Sequence, residues 1–398
     1  MSSNLKRLLV TAPLWSSMAY GLGLRIPDQD AEAIARGNAF AATADNPAAV
    51  YYNPAGITQI PGQQISVGGY TINLHSYYTS PKGNDTETKS KIAMVPEIFY
   101  TASFKEYPIS VGFGFYSPYG LGLEWPDNDT FHALRGKMEY LTMNPVVAWK
   151  ICDTLSIAAG PTLNYAKTDF RQTLLPNGNG QIRFKGDDTD AGFNAGILWH
   201  PLTQHSFGFN YFSATKINFD GDVWVKGAGP SATASASAEF KLPQHLVAGY
   251  SFRPTENWNL EFDIDWTDWD SLNTVTLVSP LGNKPLPFNW KSSFLYEFGV
   301  TRYFGEKWKV SAGYIYSENS VPEANLTPLV PDSDRHIFSV GVGRQFEHWS
   351  WNAAYQLAWG PERDVTASNP LTFPIGSSAN GRYTFLSHAL SFNTGYRF

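Results

Sequence analysis

Apolar and polar residues alternate along many segments of this chain, each about ten residues long. One side of the last segment, 385–398, is apolar and consists of Leu386, Leu390, Phe392, Tyr396 and Phe398. Small or polar residues occupy the positions between them. Because successive side chains of a strand point to opposite faces, this pattern predicts a β-strand with one apolar and one polar face.

A second segment, 257–267, indicates what the polar face of such a strand contacts. Its apolar side carries tryptophan, leucine, phenylalanine and isoleucine, and its other side carries Glu261, Asp263 and Asp265. Three carboxylates in contact with lipid would be very costly, so this side is predicted to line a polar interior. Aromatic residues near predicted strand ends are typical of the girdles at membrane interfaces; these are Trp308, Tyr316, Trp349 and Trp359.

Fourteen segments of this kind can be counted. They lie at 64–74, 92–105, 108–116, 138–151, 155–167, 190–200, 205–216, 238–252, 257–267, 291–304, 308–318, 335–346, 349–360 and 385–398. The connections after the even-numbered segments are short, and the other connections are long and polar. Bacterial outer-membrane barrels have an even number of strands, short periplasmic turns and long outer loops. The pattern therefore predicts a 14-stranded antiparallel transmembrane β-barrel with both termini in the periplasm.

The composition agrees with a barrel and excludes several other classes. Aromatic residues make up 15% of the chain and charged residues only 16%, yet the mean hydropathy is −0.26. A spanning helix needs about 20 consecutive apolar residues, and the chain has no such run. The single cysteine, Cys152, excludes disulfide scaffolds and zinc sites built from several cysteines. The net charge of −6 disfavours nucleic acid as a partner.

The N-terminal part is predicted to hold two segments before the barrel at 64–398. Residues 1–19 combine two basic residues, a short apolar stretch and small residues at the end, which predicts a signal peptide cleaved after Ala19. The alternative is a membrane anchor. Residues 20–63 are predicted to form a plug with a short helix at 30–40, because an empty barrel of this size would leak solutes. The alternative is a disordered periplasmic tail.

Five stretches in order along the chain resemble the FadL-type family of outer-membrane transporters for long-chain fatty acids and other hydrophobic compounds. They are ARGNAFA at 35–41, DNP at 45–47 with NPAG at 53–56, YSPYGLG at 116–122, LP, GYSFRPT and DWTDW within 242–269, and PDSDRH at 331–336. The resemblance spans nearly the whole chain after the signal peptide. It implies a fourteen-stranded barrel that takes up hydrophobic molecules passively and without an energy source.

The resemblance also implies a route and assigns residues to it. Substrate is captured by outer loops, passes to a pocket gated by the plug, and leaves sideways at a kink in the third strand. The plug element corresponds here to Asn53, Pro54, Ala55 and Gly56. The kink corresponds to Gly112, Gly114, Ser117 and Pro118, and the sequence supports it because glycine marks bulges and proline cannot donate to a ladder. The alternative is that the two glycines simply pack against the plug.

Candidate substrate-binding residues come from strand parity and loop composition. Arg335 and Lys150 have interior parity and could bind a carboxylate, although Arg335 could equally pair with Asp332 or Asp334, and Lys150 could bridge to the plug. Apolar residues in the long second outer loop suggest a capture surface, or loops that pack on each other; they are Leu121, Leu123, Trp125 and Phe131. Fatty acids, aromatic hydrocarbons and alkanes all suit such a site, and only the first requires a cation.

The sequence contains no motif for catalysis. It lacks the Gly-x-Ser-x-Gly, His-Glu-x-x-His and Walker A patterns, so we expect no enzyme activity, cofactor or metal. The alternatives are an adhesive or structural barrel that binds a surface partner through its loops, and an outer-membrane lipase. The expected partners are a hydrophobic small molecule, outer-membrane lipids and lipopolysaccharide, and the barrel-assembly machinery, which would recognise Phe398. A monomer is expected.

Overall fold

The computed structural model describes residues 23–104, 106–127, 134–174, 180–227, 229–369 and 378–398, together with all their side chains except that of Leu121. The predicted signal peptide and Phe131 lie outside these residues. No helix in the described part of the chain is long and apolar enough to cross a membrane.

Strands dominate the described residues. Their bounds are β1 (Gln63–Thr79), β2 (Asp85–Glu87), β3 (Ile92–Ser103), β4 (Ile109–Tyr116), β5 (Gly120–Glu124), β6 (Arg135–Cys152), β7 (Leu155–Thr173), β8 (Gln181–Leu202), β9 (His205–Phe212), β10 (Thr215–Lys226), β11 (Ala232–Leu242), β12 (His245–Thr255), β13 (Trp258–Thr267), β14 (Thr274–Val278), β15 (Lys284–Pro287), β16 (Ser293–Phe304), β17 (Trp308–Ser317), β18 (Arg335–Gln345), β19 (Trp349–Val365) and β20 (Gly381–Arg397). The helices are α1 (Ala31–Ala35), α2 (Ala49–Tyr52) and three 3₁₀ turns at Pro54–Gln59, Trp269–Ser271 and Glu323–Asn325.

The strands close into a fourteen-stranded antiparallel barrel, as the sequence predicts. The first strand, β1, pairs with the last, β20, from Gln64↔Arg397 to Thr79↔Arg382, which closes the wall. Three wall strands each consist of two segments, namely β4 with β5, β9 with β10, and β11 with β12. The hairpin β14–β15 and the short strand β2 belong to long connections. We call the two ends of the barrel the short-turn end and the long-loop end.

Several strands are longer than the sequence pattern predicts. The segment predicted at 190–200 is β8, Gln181–Leu202, and the one predicted at 155–167 is β7, Leu155–Thr173. Both extend toward the long-loop end, where they pair with each other as far as Thr173↔Gln181. Charged residues replace apolar ones on the outer face there, so the alternation that revealed the strands ends before the hydrogen-bonded ladder does.

The two faces of the wall differ as the alternation requires. On β20, Leu390 and Phe392 are 63% and 53% exposed, whereas Ala389, Ser391 and Asn393 between them are buried. Burial here means contact with the N-terminal segment, residues 23–62, whose side chains are mostly buried as well. The apolar face is thus the outer one, which suits contact with lipid.

The helix predicted at 30–40 is shorter in the structure. It covers only Ala31–Ala35, because Gly37 and Asn38 adopt positive φ angles of 66° and 59° and end it. Asp30 caps the helix by accepting hydrogen bonds from the amides of Glu32 and Ala33. The reversal after Ala35 brings residues 36–41 alongside the inner face of the barrel wall.

Glycine on the inner face of the wall lets the N-terminal segment approach the strands. A Cβ at Gly208 would lie 2.0 Å from the carbonyl oxygen of Ala41, and one at Gly313 would lie 2.0 Å from the amide nitrogen of Gly37. Neither distance is possible for a larger residue without displacing backbone. Other inward glycines that the N-terminal segment contacts are Gly196, Gly249, Gly299 and Gly341.

Candidate functional site

Three carboxylates on β13 bind the N-terminal segment to the wall. Asp263 accepts hydrogen bonds from the amides of Phe40 and Ala41 at 3.0 and 2.9 Å. Glu261 forms an ion pair with Arg36 at 3.1 Å, and Asp265 forms one with Arg25 at 2.6 Å. The same three acids that indicated a polar interior in the sequence therefore hold residues 25–41 in place.

Asn53 connects the N-terminal segment to another wall strand, β8. Its side-chain amide donates to the carbonyl oxygens of Ala41 at 2.7 Å and Ile197 at 3.0 Å. Its side-chain oxygen accepts from the amide of Ala55 and caps the 3₁₀ turn that begins at Pro54. Asn53 is fully buried, so one side chain ties together two parts of the segment and strand β8.

Gly56, the last residue of this element, packs tightly inside the N-terminal segment. A Cβ at Gly56 would lie 2.3 Å from the carbonyl oxygen of Ala44. The Asn-Pro-Ala-Gly turn is therefore a packed junction between residues 41–44 and the wall.

The barrel wall is interrupted on its third strand. The ladder between β3 and β4 ends at Ile98↔Phe115, and residues 92–97 of β3 pair only with β1. Strand β6 pairs with β4 as far as Tyr116↔Thr142 and resumes with β5 at Gly120↔Glu139. Nearer the long-loop end, the backbone amide of Lys89 donates to the backbone carbonyl oxygen of Glu124 at 2.9 Å. A gap in the wall ladder thus lies between Ile98 and Lys89.

Residues 24–29 of the N-terminal segment lie against this interruption. The amide of Ile26 donates to Pro118 at 2.8 Å, and the amide of Gly120 donates to Leu24 at 2.9 Å. The side chain of Gln29 donates to the carbonyl oxygen of Ser117 at 2.9 Å. The start of the described chain therefore satisfies backbone groups that the broken strand leaves unpaired.

The four residues assigned to the strand kink separate into two pairs. Ser117 and Pro118 lie at the interruption itself, between β4 and β5. Gly112 and Gly114 lie before it, where a Cβ would approach Val50 to 2.7 and 3.0 Å. The two glycines thus make room for the N-terminal segment, which is the packing alternative raised from the sequence.

An apolar cavity of about 130 Å³ lies inside the barrel at the long-loop end. Inward faces of β6, β7, β8, β10 and β11, the hairpin β14–β15 and residues 325–330 line it. Its apolar lining includes Met138, Phe170, Ile182, Phe184, Phe219, Phe240, Leu277, Phe288 and Leu329. Leu24 contributes to the wall of this cavity, so the N-terminal segment contacts both the cavity and the strand interruption.

Lys284 is the one cation that lines this cavity among the described residues. Burial lowers the pKa of its amino group to about 8, because a low-polarity environment disfavours the charged form. No described residue forms an ion pair with it or accepts a hydrogen bond from it. Gln172 lines the same cavity, and its buried side-chain nitrogen has no hydrogen-bond partner among the described residues. The cavity thus offers two donors for an acceptor that the chain itself does not provide.

The structure places the two cations proposed from the sequence away from this cavity. Arg335 is buried, forms an ion pair with Asp332 at 3.1 Å and lies over the ring of Phe385 at 3.8 Å. Lys150 lies at the short-turn end and pairs with Asp153 at 2.9 Å. Neither residue lines the cavity. The alternative pairing of Arg335 with Asp332 is the arrangement that the structure shows.

The apolar residues of the second long loop are packed rather than exposed where the structure describes them. Leu123 and Trp125 are 3% and 1% exposed. The indole nitrogen of Trp125 donates to the carbonyl oxygen of Pro328 at 2.8 Å, on the connection between β17 and β18. Both residues belong to the apolar cluster above the N-terminal segment that also includes Leu24. The loops therefore pack on each other over the barrel.

Sequence reasoning missed Lys284 because it lies in a long connection, outside the alternating segments. The only local signal is the composition of residues 280–287, where one lysine stands among prolines and leucines. That signal does not show that the lysine faces an apolar cavity, since this depends on how the β14–β15 hairpin folds over the barrel.

Comparison with known proteins agrees with the fold. A family model described as "Outer membrane protein transport protein (OMPP1/FadL/TodX)" matches residues 12–398. The long-chain fatty acid transport protein of Escherichia coli O6:H1 is 26% identical over 395 residues, covering 85% of this chain and 87% of that protein. Outer membrane protein P1 of Haemophilus influenzae is 22% identical over 421 residues, covering 90% of this chain and 91% of that protein.

Solved structures show the same fold. A FadL homologue of Pseudomonas aeruginosa has a TM-score of 0.85 at 21% identity, covering 94% of this chain and 100% of that one. The toluene transporter TodX of Pseudomonas putida has a TM-score of 0.74 at 16% identity, covering 96% of this chain and 100% of that one.

The closed barrel, the apolar cavity and these similarities define an outer-membrane channel for hydrophobic compounds in a Gram-negative bacterium. It is a transport protein and not an enzyme. The chain belongs to the outer membrane protein transport family that includes FadL and TodX.

Proposed function

We propose that this channel takes up long-chain fatty acids or related amphiphiles with an anionic head and an apolar tail. The observation that carries the proposal is the apolar cavity with Lys284 and Gln172 in its lining. A hydrocarbon needs neither donor, whereas a carboxylate is an acceptor for hydrogen bonds from either one. The curated relative from Escherichia coli is named as a transporter of long-chain fatty acids, which supports the same substrate class.

The size of the cavity suggests that binding requires movement. An engineered apolar cavity of about 150 Å³ accommodates benzene, and the cavity here is about 130 Å³. A long acyl chain therefore has to displace part of the lining. Leu24 is well placed for this, because it lines the cavity and belongs to the N-terminal segment rather than to the barrel wall.

Displacement of Leu24 would couple substrate binding to the wall. The backbone of residues 24–26 pairs with Pro118 and Gly120 at the interruption of the third strand. A substrate that moves Leu24 would weaken these hydrogen bonds and uncover the gap beside β3. We propose that residues 20–63 act as the plug and that substrate leaves sideways through this gap, after release from the cavity.

The sideways route also avoids the polar part of the lumen that lies between the cavity and the short-turn end. Below the cavity the lumen is filled by residues 25–57 and crossed by the ion pairs of Arg25 and Arg36 with β13. An apolar chain that passed there would separate buried charges from their partners, which is costly. The outer face beside the gap is apolar, with Ile92 71% exposed.

The remaining parts of the proposal concern processing and orientation. Residues 1–19 act as a signal peptide, so that the mature chain begins at Tyr20. The short-turn end and both termini face the periplasm, as in bacterial barrels generally, and the long-loop end with the cavity faces the cell exterior. Phe398 serves as the recognition signal for barrel assembly.

Filling the cavity tests the proposal. Ala238 lines it from β11 and is 8% exposed, so Ala238→Trp would occupy the space that a substrate needs. The matched control is Thr233→Trp on the exposed face of the same strand. We expect Ala238→Trp to reduce uptake of labelled long-chain fatty acid into cells and the control to leave uptake unchanged. Resistance of the barrel to SDS at room temperature checks that the variant is folded. Normal uptake by folded Ala238→Trp would contradict the proposal.

A further inference from the structure

Arginines stand side by side on three neighbouring wall strands at the long-loop end. Arg135 of β6 is directly opposite Arg171 of β7, and Arg171 is directly opposite Arg183 of β8. On the other side of Arg135, its partner in the ladder with β5 is Glu124. The three arginines and one glutamate thus form a row across four strands.

This row faces outward. Met138, Phe170 and Phe184 line the cavity inside the barrel. The arginines lie at odd-numbered separations from them on the same three strands, and successive side chains of a strand alternate between faces. The guanidinium groups therefore project from the outer wall, on the side that meets the membrane and its surface, and not into the lumen.

The row contains more cations than carboxylates. Glu124 is shared, since it pairs with Lys89 at 2.6 Å and with Lys91, and lies 3.9 Å from Arg135 and 4.0 Å from Arg171. Arg135 and Arg171 donate no side-chain hydrogen bond to any residue that the structure describes. Both guanidinium groups thus retain most of their donors for another molecule.

Arg183 is the better compensated member of the row, because Asp169 accepts two hydrogen bonds from it at 2.8 and 2.7 Å. We define the cationic patch as five cations and two carboxylates, a net charge of +3: Lys89, Lys91, Arg135, Arg171 and Arg183 with Glu124 and Asp169. Of the neighbouring outward lysines, Lys137 pairs with Glu139 at 2.5 Å, and Lys185 lies 4.0 Å from Asp169 and directly opposite Asp222 in the ladder. Like charges directly opposite each other destabilise a sheet, so the patch would gain from a bound anion.

The patch lies beyond the apolar band of the outer wall. On β7, the outward residues from Ile157 to Leu163 are apolar or small, and Arg171 follows eight residues after Leu163. Eight residues span about 26 Å along a strand, or about 20 Å along the barrel axis at a tilt of about 40°. With the long-loop end outside, this distance places the arginines among the head groups above the hydrocarbon layer.

We propose that the cationic patch binds phosphate groups on the saccharide head of a glycolipid in the outer leaflet around the barrel. Planar guanidinium groups bind phosphate bidentately, and neighbouring arginines about 5 Å apart can share one phosphate or bind two. The source is a lipid because the patch is on the outer wall directly above the lipid-facing surface. The inference rests on the orientation proposed above.

The test compares two charge-matched triple variants of the full-length protein in detergent. One is Arg135→Gln with Arg171→Gln and Arg183→Gln. The control is Lys216→Gln with Lys226→Gln and Arg382→Gln, three exposed cations outside the patch. Binding to purified lipopolysaccharide, to the same material after enzymatic removal of phosphate, and to inorganic phosphate is measured with immobilised protein at two salt concentrations.

We expect the patch variant to bind lipopolysaccharide about tenfold or more weakly than the parent, and the control variant to bind normally. Removal of phosphate should weaken binding to the parent by a similar factor. Equal binding by both variants, or equal binding of the dephosphorylated glycolipid, would overturn the proposal. Inorganic phosphate that binds as tightly as the glycolipid would overturn the lipid source.

Two further measurements separate this proposal from that of transport. A patch variant with the three arginines changed to lysine keeps the charge and should bind with intermediate strength, which shows that a loss in the glutamine variant is not caused by misfolding. Fatty acid uptake should be normal in the patch variant. Impaired uptake with intact glycolipid binding would therefore count against the patch and leave the transport proposal in place.

Discussion

The replacement of Lys284 by methionine tests how the channel recognises its substrate. Methionine keeps an unbranched apolar side chain of similar length and removes the charge. Lys284 lines the apolar cavity and has no ion-pair partner among the described residues, so its replacement should leave the packing of the chain nearly unchanged. The control is Lys241→Met, because Lys241 is exposed on β11 outside the cavity.

The expected loss follows from the surroundings of the amino group. A hydrogen bond to a charged group contributes about 1.5 to 3 kcal/mol net, which is smaller than the bare attraction in a medium of low polarity because both ions lose water. About 2 kcal/mol corresponds to roughly a 30-fold weaker binding of a fatty acid. An alcohol of the same chain length has no negative charge, so its affinity should change little.

The pKa of Lys284 adds a pH test. Burial lowers it to about 8, so the amino group is mostly charged at pH 7 and becomes neutral as the pH rises past that value. A bound carboxylate favours the charged amino group and therefore raises the pH at which half of it is charged. Affinity still falls, and does not rise, as the pH increases. Affinity for the fatty acid should therefore fall between pH 7.5 and 9.5, while affinity for the alcohol stays constant. In Lys284→Met this pH dependence should disappear.

Both measurements use purified protein in lipid nanodiscs and displacement of a fluorescent apolar probe, which avoids competition from detergent. Two results would refute the reasoning. The first is unchanged affinity for the acid in Lys284→Met. The second is an equal loss of affinity for the acid and the alcohol, which would mean that Lys284 supports the shape of the cavity and does not bind a head group.

Three other changes test the remaining parts of the structure. Asn53→Ala removes three hydrogen bonds of a buried side chain. The free energy of opening that hydrogen exchange measures for residues 38–57 should therefore fall by about 1 to 3 kcal/mol, while exchange of the barrel strands stays slow. Gly208→Val places side-chain atoms where Ala41 lies, and should displace the N-terminal segment and raise ion conductance in planar bilayers; unchanged conductance would contradict the close fit. Cys152 is exposed at the short-turn end, so a large impermeant maleimide should label it only after cells are lysed, and labelling of intact cells would reverse the orientation.

The wall of the barrel could be predicted from local sequence because each strand records its own surroundings. Lipid on one side and the N-terminal segment on the other impose an alternation that holds for every wall strand, as in Leu390 and Ser391 of β20. Where the surroundings change, the prediction stops. Beyond Lys167 the outer face of β7 carries charge, and the strand continues to Thr173 although the pattern that revealed it has ended.

The partners of the interior residues depended on the tertiary structure. Glu261, Asp263 and Asp265 indicated a polar lumen in the sequence, but their partners come from positions more than 200 residues earlier in the chain. Arg335 looked like a carboxylate ligand by parity, and only its distance to Asp332 shows that it is already paired.

By itself, then, the sequence determined the class of fold, the number of wall strands and the face of each strand, because these follow from contact with lipid one residue at a time. Among the residues that the structure describes, the tertiary fold decided which interior groups have a partner and which have none. Lys284 belongs to the second kind, since a lysine in a long connection becomes a candidate for substrate binding only when the β14–β15 hairpin folds it against an apolar cavity. Pairing and burial are properties of distant residues brought together, and no local pattern contains them.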